Sequence, residues 1–302
     1  MEFVKPGINV DFVGKLKYAV IFSLIVTCLS LVSLTWKGLN YGIDFAGGTL
    51  IQIKFHKQIP TDDIRVILNK IGIDDSVIQP FGMDEIVIRT AKTSSEMKGF
   101  SSLIEDSLNS AYGKDAFQVQ RIESVGPKVG KDLTRKAILA IVFSWIGMLI
   151  YIAFRFELPH AVGGIVGVIH DVIVVLGIFS IFRIEFTLTI VAALLTIIGY
   201  SIHDSIVLFD RVRENVRKNT KKALPAIVND SINQTLSRTI LTSLTVVIVV
   251  AVLYAFGGSV IHDFAFALLI GVIFGTYSSV FIAAPVVLAW DKFKPRSKKK
   301  KK

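Results

Sequence analysis

Apolar residues along this chain fall into two regimes. In six stretches, at 17–36, 137–154, 160–182, 186–209, 232–256 and 264–290, they run almost unbroken. Crossing the hydrocarbon core of a bilayer takes about 20 mainly apolar residues, so each stretch predicts a membrane-spanning helix. Pro159 suits the first turn of the third helix, and Pro285 is placed to kink the sixth. Between the first two runs the pattern changes. Residues 48–55 alternate apolar and polar like a strand. Thr61, Asp62 and Asp63 then open a helix reaching about Ile71, with Thr61 as the capping residue and an acidic first turn. Residues 76–80 and 84–90 predict two strands around the Phe81-Gly82 turn, 94–112 a helix, and 116–124 a last strand. The order β-α-β-β-α-β is the ferredoxin-like plan. At about 90 residues such a domain can bury a core of its own.

The expected fold is therefore an α-helical membrane protein of six transmembrane helices, with a small α+β ferredoxin-like domain between helices 1 and 2. Residues 1–37 form the N-terminus and first helix, 38–130 the domain outside the bilayer, 131–290 helices two to six, and 291–302 a basic tail. Composition agrees: 52% of residues are hydrophobic and 19% charged, with a mean hydropathy of +0.60. Soluble domains rarely combine these values.

The net charge of +10 would suit a nucleic-acid binder, but its placement argues for lipid. Basic residues gather at Lys5, Lys15 and Lys17, in the loop after helix four (Arg211, Arg213, Arg217, Lys218, Lys221, Lys222), and in the tail from Lys292 to Lys302. With six spans these lie on one face, and the excess of cations makes that face cytoplasmic, against anionic lipid head groups. Both termini then lie in the cytoplasm and 38–130 outside it. Lys128, Lys131, Arg135 and Lys136 sit on the opposite face, after a long translocated domain, where the rule is weak. Cys28 is the one cysteine, so the outer domain folds without an internal disulfide. Residues 18–34 resemble a signal peptide, yet no small-residue cleavage site follows, and the run reads as an uncleaved first span.

Ionisable residues inside a membrane are costly, and each is a candidate for function. Asp171 lies near the centre of helix three and Asp204 in the inner half of helix four; Asp263 sits at the outer mouth of helix six, within reach of water. Counting 1.5 Å per residue from the helix ends puts both Asp204 and Arg238, on helix five, about 9 Å inside. Thr235, Arg238, Thr242 and Thr245 share one face of helix five. Thr189, Thr196 and His203 recur every seven residues on helix four, with Tyr200 and Asp204 beside them. Two such stripes facing each other could hold a file of water. Asp204 and Arg238 have two readings: a static salt bridge that fixes packing, or a pair whose separation changes with conformation, so that Asp204 gains and loses a proton. Asp171 and His203 likewise serve either as interhelical hydrogen-bonding groups or as proton carriers. The spacings Gly163-x-x-x-Gly167 and Gly271-x-x-x-Gly275 suit close helix packing. A Walker A loop, a Cys/His cluster and a nucleophile–base pair are all missing from the sequence, so energy has to come from an ion gradient or another subunit.

The run from Gly199 to Asn215, GYSIHDSIVLFDRVREN, makes the chain recognisable. It closely resembles the SecF branch of the SecD/SecF family of bacterial protein export. Gly42-Ile-Asp-Phe-Ala-Gly-Gly48, Val125-Gly-Pro-Lys-Val-Gly130, His170-Asp171-Val172, Asn233-Gln-Thr-Leu-Ser-Arg-Thr239 and Gly275-Thr-Tyr-Ser-Ser279 resemble further blocks of that family. The resemblance implies an RND-like half-transporter in the bacterial inner membrane. It implies a separate SecD, with the SecYEG channel, YajC and a translocating preprotein as partners, SecA acting indirectly, and no nucleic acid. It implies use of the proton-motive force late in translocation, no cofactor, and no ATPase site of its own. The family's proton-transfer residues fall on Asp204 and Arg238; Asp171, His203 and Thr242, read from their places in the spans, are the expected supporting polar groups. His203 stands where the family usually has Asn, which places a titratable neighbour beside Asp204. A small-molecule exporter of the RND type would need a larger outer domain, and a passive scaffold would need no buried charge.

Overall fold

The structure is a computed structural model and describes residues 9–81, 84–92, 100–113 and 115–293. Lys5, Gly82, the expected helix start at 94–99 and the basic tail from 294 lie outside the described residues.

In chain order the elements are α1 (Leu16–Trp36), β1 (Asn40–Tyr41), α2 (Ile43–Ala46), β2 (Gly48–Phe55), α3 (Thr61–Lys70), β3 (Val77–Phe81), β4 (Glu85–Thr90), α4 (Phe100–Tyr112), β5 (Phe117–Val125), α5 (Pro127–Arg155), α6 (Leu158–Phe182), β6 (Glu185–Phe186), α7 (Leu188–Lys218), α8 (Leu224–Phe256), α9 (Gly258–Ser278), a π-helical turn (Ser279–Ala283) and α10 (Ala284–Phe293). Two compact units result. One comprises Tyr41–Leu139 with Phe186–Leu188, and the other Met1–Asn40, Ala140–Glu185 and Thr189–Lys302.

The first unit holds a four-stranded antiparallel sheet in the order β3-β4-β2-β5. This is the ferredoxin-like order expected from the strand and helix sequence. Central β2 carries Ile51, Ile53 and Phe55 into a core with Ile64 and Leu68 of α3, Ile86 and Ile88 of β4, and Ile104 and Leu108 of α4. Thr61 is not the cap of α3: Pro60 holds the cap position and makes no side-chain cap bond, while Asp62 and Asp63 supply the acidic first turn. Proline already fixes the extended entry and lacks the N–H that would need satisfying. Gly48 has φ +121°, and a Cβ there would stand 2.3 Å from the Thr90 carbonyl oxygen. Only glycine lets β2 start that close to the end of β4.

Among the described residues, six helices are long and apolar enough to cross a membrane: Leu16–Trp36, Pro127–Arg155, Leu158–Phe182, Leu188–Lys218, Leu224–Phe256 and Ile261–Phe293. Several exceed the apolar runs because polar turns continue them. The stretch expected as a basic loop, 211–222, is helical up to Lys218. Glu214 bridges Arg211 and Lys218 there, both at 2.6 Å, at spacings that stabilise helix. α8 likewise begins at Leu224, with proline in its first turn.

In the second unit α6 and α7 are the most enclosed spans. The glycine spacings do mark close approaches. A Cβ on Gly163 would lie 2.7 Å from the Ala283 carbonyl oxygen, and one on Gly271 would lie 2.4 Å from Ile197. Small residues also let α1 lie against α6, where Ser33 and Ser180 share a hydrogen bond of 2.8 Å. Pro285 does not break the sixth span. It follows the π-helical turn, whose wider hydrogen-bond spacing accommodates a ring without an N–H.

Candidate functional site

Asp204 sits on the enclosed face of α7 with 3% of its surface exposed. A carboxyl group in such a place needs polar partners. Thr276 of α9 is 3.4 Å from its Oδ2, and His203 Nδ1 is 3.8 Å from Oδ1. Behind Thr276 a hydroxyl series continues: Thr276 and Ser243 of α8 are 2.7 Å apart, and the Tyr200 hydroxyl donates to Ser243 at 3.2 Å. Thr276 has one hydroxyl proton and three acceptors within reach: Asp204, Ser243 at 2.7 Å and its own-helix Val272 carbonyl at 2.9 Å. It can serve one at a time. An ionised Asp204 calls that proton across. A protonated Asp204 can instead donate to Thr276 Oγ1, leaving Thr276 bonded within α9.

A cavity of about 240 Å³ opens beside Asp204, walled by Thr235, Thr239, Thr276 and Ser279 among apolar residues that include Phe12. Its lining is mainly apolar, and the polar groups that water could meet there are gathered at the Asp204 and Thr276 side. The segment carrying Phe12 is stitched to α8. Asn229 Oδ1 accepts from the Phe12 N–H at 2.8 Å, and Asn233 both accepts from the Val10 N–H and donates to the Val10 carbonyl. Phe12 also lies 6.1 Å from the Phe281 ring in the π-helical turn.

The expected ion pair between Asp204 and Arg238 does not form in this arrangement among the described residues. Arg238 lines a neighbouring cavity of about 360 Å³ with Asp210, Arg211, Glu214 and Gln234, and Thr235 borders both spaces. Arg238 is one position off the enclosed face of α8, which runs through Ser231, Ile232 and Ser243. Its long side chain reaches toward the polar end of the helix.

The two threonine stripes do not face each other. Thr189, Thr196 and His203 lie on the exposed side of α7, with the His203 side chain 63% exposed. Thr235, Thr242 and Thr245 bond to carbonyls of their own helix, Thr242 to those of Arg238 and Thr239. Beside Asp204, Tyr200, Ser243 and Thr276 are hydroxyls that cross between helices. Thr276 stood inside a recognised block, and Ser243 carried no sequence signal beyond being a serine in a span.

Asp171 is fully enclosed in α6. Its Oδ2 accepts from Ser201 of α7 at 2.6 Å and Ser278 of α9 at 2.7 Å, and its Oδ1 is 3.0 Å from His170 Nδ1. Asp263 pairs with the neighbouring His262, at 3.1 Å, and is partly exposed.

Known proteins share this architecture. The family described as "Protein export membrane protein SecD/SecF, C-terminal" matches residues 104–293, and the "SecD/SecF GG Motif" matches residues 32–59. The protein translocase subunit SecF of Magnetococcus marinus is 44% identical over 304 residues, covering 99% of this chain and 97% of that protein. The SecF of Calditerrivibrio nitroreducens is 46% identical, covering 95% and 96%. The crystal structure of SecDF from Thermus thermophilus, described as a translocon-associated membrane protein, superposes with a TM-score of 0.87 at 36% identity over 95% of this chain. This chain spans 39% of the length of that SecDF. A SecDF in a super-membrane-facing form superposes with a TM-score of 0.72.

Proposed function

This chain belongs to the SecD/SecF family as a SecF-type protein translocase subunit, and we propose that it couples the proton-motive force to late translocation of preproteins through SecYEG. It works in the bacterial inner membrane with both termini cytoplasmic, and needs neither a cofactor nor an ATPase site of its own. A separate SecD supplies the other RND-like half. The length of SecDF left uncovered by this chain supports that, and so does the exposed polar stripe of α7, which a second helical body would cover. YajC is a further associate, SecA acts at the earlier stage, and anionic lipids hold the basic face.

The observation that carries this reading is Asp204: an enclosed carboxyl, bordered by a water-sized cavity, sharing one hydroxyl proton with α9. Protonation removes the charge and reverses the direction of the Asp204–Thr276 hydrogen bond. Loss of the proton restores an anion that attracts Arg238 from the adjoining cavity past Thr235. The two arrangements differ in how α7, α8 and α9 are tied. A two-state element biased by an ion gradient is what work on a substrate requires. The outer domain follows this change and acts on the emerging chain.

Export measured in membrane vesicles tests the reading, with membrane potential fixed and proton and sodium gradients varied separately. Asp204→Asn, which keeps the shape, should assemble normally and lose the gradient-dependent late stage. Undiminished gradient-dependent export in Asp204→Asn would leave only a scaffold, and a response to sodium alone would replace the ion.

A further inference from the structure

The Asp204 mechanism leaves buried titratable groups without a task, among them Asp171 and His170 of α6. His170 is 7% exposed, and its Nδ1 is committed to Asp171. Its Nε2 is buried with no hydrogen-bond partner among the described residues. A buried ring nitrogen without a partner forfeits hydration for nothing in a purely structural site. The oxygens of Asp171 are well supplied, by two serine hydroxyls and His170. With Asp171 ionised and His170 neutral, Nδ1–H points at Oδ1 and Nε2 presents a free lone pair. The pair then carries one net negative charge in the helix core. A proton arriving at Nε2 makes an imidazolium–carboxylate pair with no net charge, and no other bond has to break.

The neighbourhood links this pair to Asp204. Ser278, which holds Asp171, and Thr276, which meets Asp204, are two residues apart on α9, immediately before the π-helical turn. Ser201, the other donor to Asp171, precedes Asp204 by one turn of α7. The titratable groups facing the pair are few. α9 brings Tyr277, whose ring is 6.5 Å from that of His170 and whose hydroxyl is bonded to Ser23 and to the Ala19 carbonyl of α1. α7 brings Asp204 and the outward-facing His203. Between Lys17 and Lys37, α1 has only Tyr18 and the exposed Cys28. The π-helical turn has none, and α10 carries Asp291 and Lys292 at its far end.

We propose that His170 and Asp171 form a second proton-binding site, taking up one proton at His170 Nε2, and that α9 couples its occupancy to that of Asp204 through Ser278 and Thr276. The proposal rests on the chain being proton-coupled. It adds that two buried sites, on α6 and α7, are read by one helix.

The test is the charge state of His170, followed by nitrogen-15 NMR on histidine-labelled full-length chain in lipid nanodiscs from pH 5 to 9. The His170 signal is identified by its loss in His170→Gln and, independently, by its proximity to labelled Tyr277. Conversion from the neutral ring to imidazolium within that range is expected in the unaltered chain. Asp171→Asn and the milder Ser278→Ala should each move the midpoint, and Asp204→Asn should move it at least twofold in proton affinity. A His170 that keeps one charge state throughout overturns the site, and a midpoint indifferent to Asp204→Asn overturns the coupling. The vesicle experiment fails separately: a titrating His170 alongside export indifferent to Asp204→Asn would sink proton-driven export and leave the site. An invariant His170 alongside Asp204-dependent export would do the reverse.

Discussion

Asn229 holds Phe12 at the wall of the Asp204 cavity. Its Oδ1 accepts the backbone N–H groups of both Phe12, at 2.8 Å, and Val13, at 3.1 Å. A non-helical segment is thereby fixed to the side of a membrane helix, and its aromatic ring closes one flank of the space beside the carboxyl.

Asn229→Ala removes the acceptor of both bonds. Each hydrogen bond contributes about 1 kcal/mol, so amide exchange at Phe12 and Val13 should rise about tenfold or more. Hydrogen exchange with peptide mapping measures this. Unchanged protection would mean that Asn233 and ring packing suffice to hold the segment.

Thr276→Val keeps the shape and deletes the hydroxyl between Asp204 and Ser243. Gradient-driven export should slow about tenfold, the effect of losing a hydrogen bond worth about 1.4 kcal/mol in the rate-limiting step. Assembly and thermal stability should change little. Rates in vesicles at several gradient strengths separate the two effects.

Gly48→Ala should destabilise the α+β domain by about 3 kcal/mol or more, because the backbone is strained for any L side chain and the new Cβ meets the Thr90 carbonyl. Limited proteolysis of the full chain should cut within 48–92 at far lower protease concentration.

Tyr112, at the end of α4, should make this domain alkali-sensitive. Burial, and then the negative charge of Asp63, push its phenol above the ordinary value of 10.0. The folded state therefore favours the neutral phenol. Its contribution is complete below the unfolded-state value and is lost as pH rises through the folded one. Urea midpoints at pH 9 and pH 11 should fall for the unaltered chain and fall less for Tyr112→Phe. Equal falls would place the alkaline transition elsewhere.

How far the sequence reaches is clear from individual residues. The six spans follow from apolar runs alone, and the sheet order follows from the β-α-β-β-α-β succession of elements. Helix ends do not follow, because hydropathy measures where a run is apolar and not where hydrogen bonding stops: α8 starts at Leu224, two turns before the run. That also hides the orientation of Arg238. One residue turns a helix by about 100°, so a stripe drawn through Thr235, Arg238 and Thr242 misses the enclosed face that Ser243 occupies. Asp204 and Asp171 announce themselves by charge. Ser201, Ser243, Thr276 and Ser278 do not, because serine and threonine are unexceptional in membrane helices until packing selects which of them point at a neighbour.

The π-helical turn Ser279–Ala283 acts as a register counter for the sixth span. Recounted as ordinary α-helix, the same residues would rotate everything after Ala283 by about 100° relative to Thr276 and Ser278. Val287 would then leave the cluster it shares with Leu208, Phe209 and Val212. The two ends of that span can therefore hold their separate partners, hydroxyls toward the carboxyls and methyls toward α7, only while one surplus residue stays looped into the turn between them.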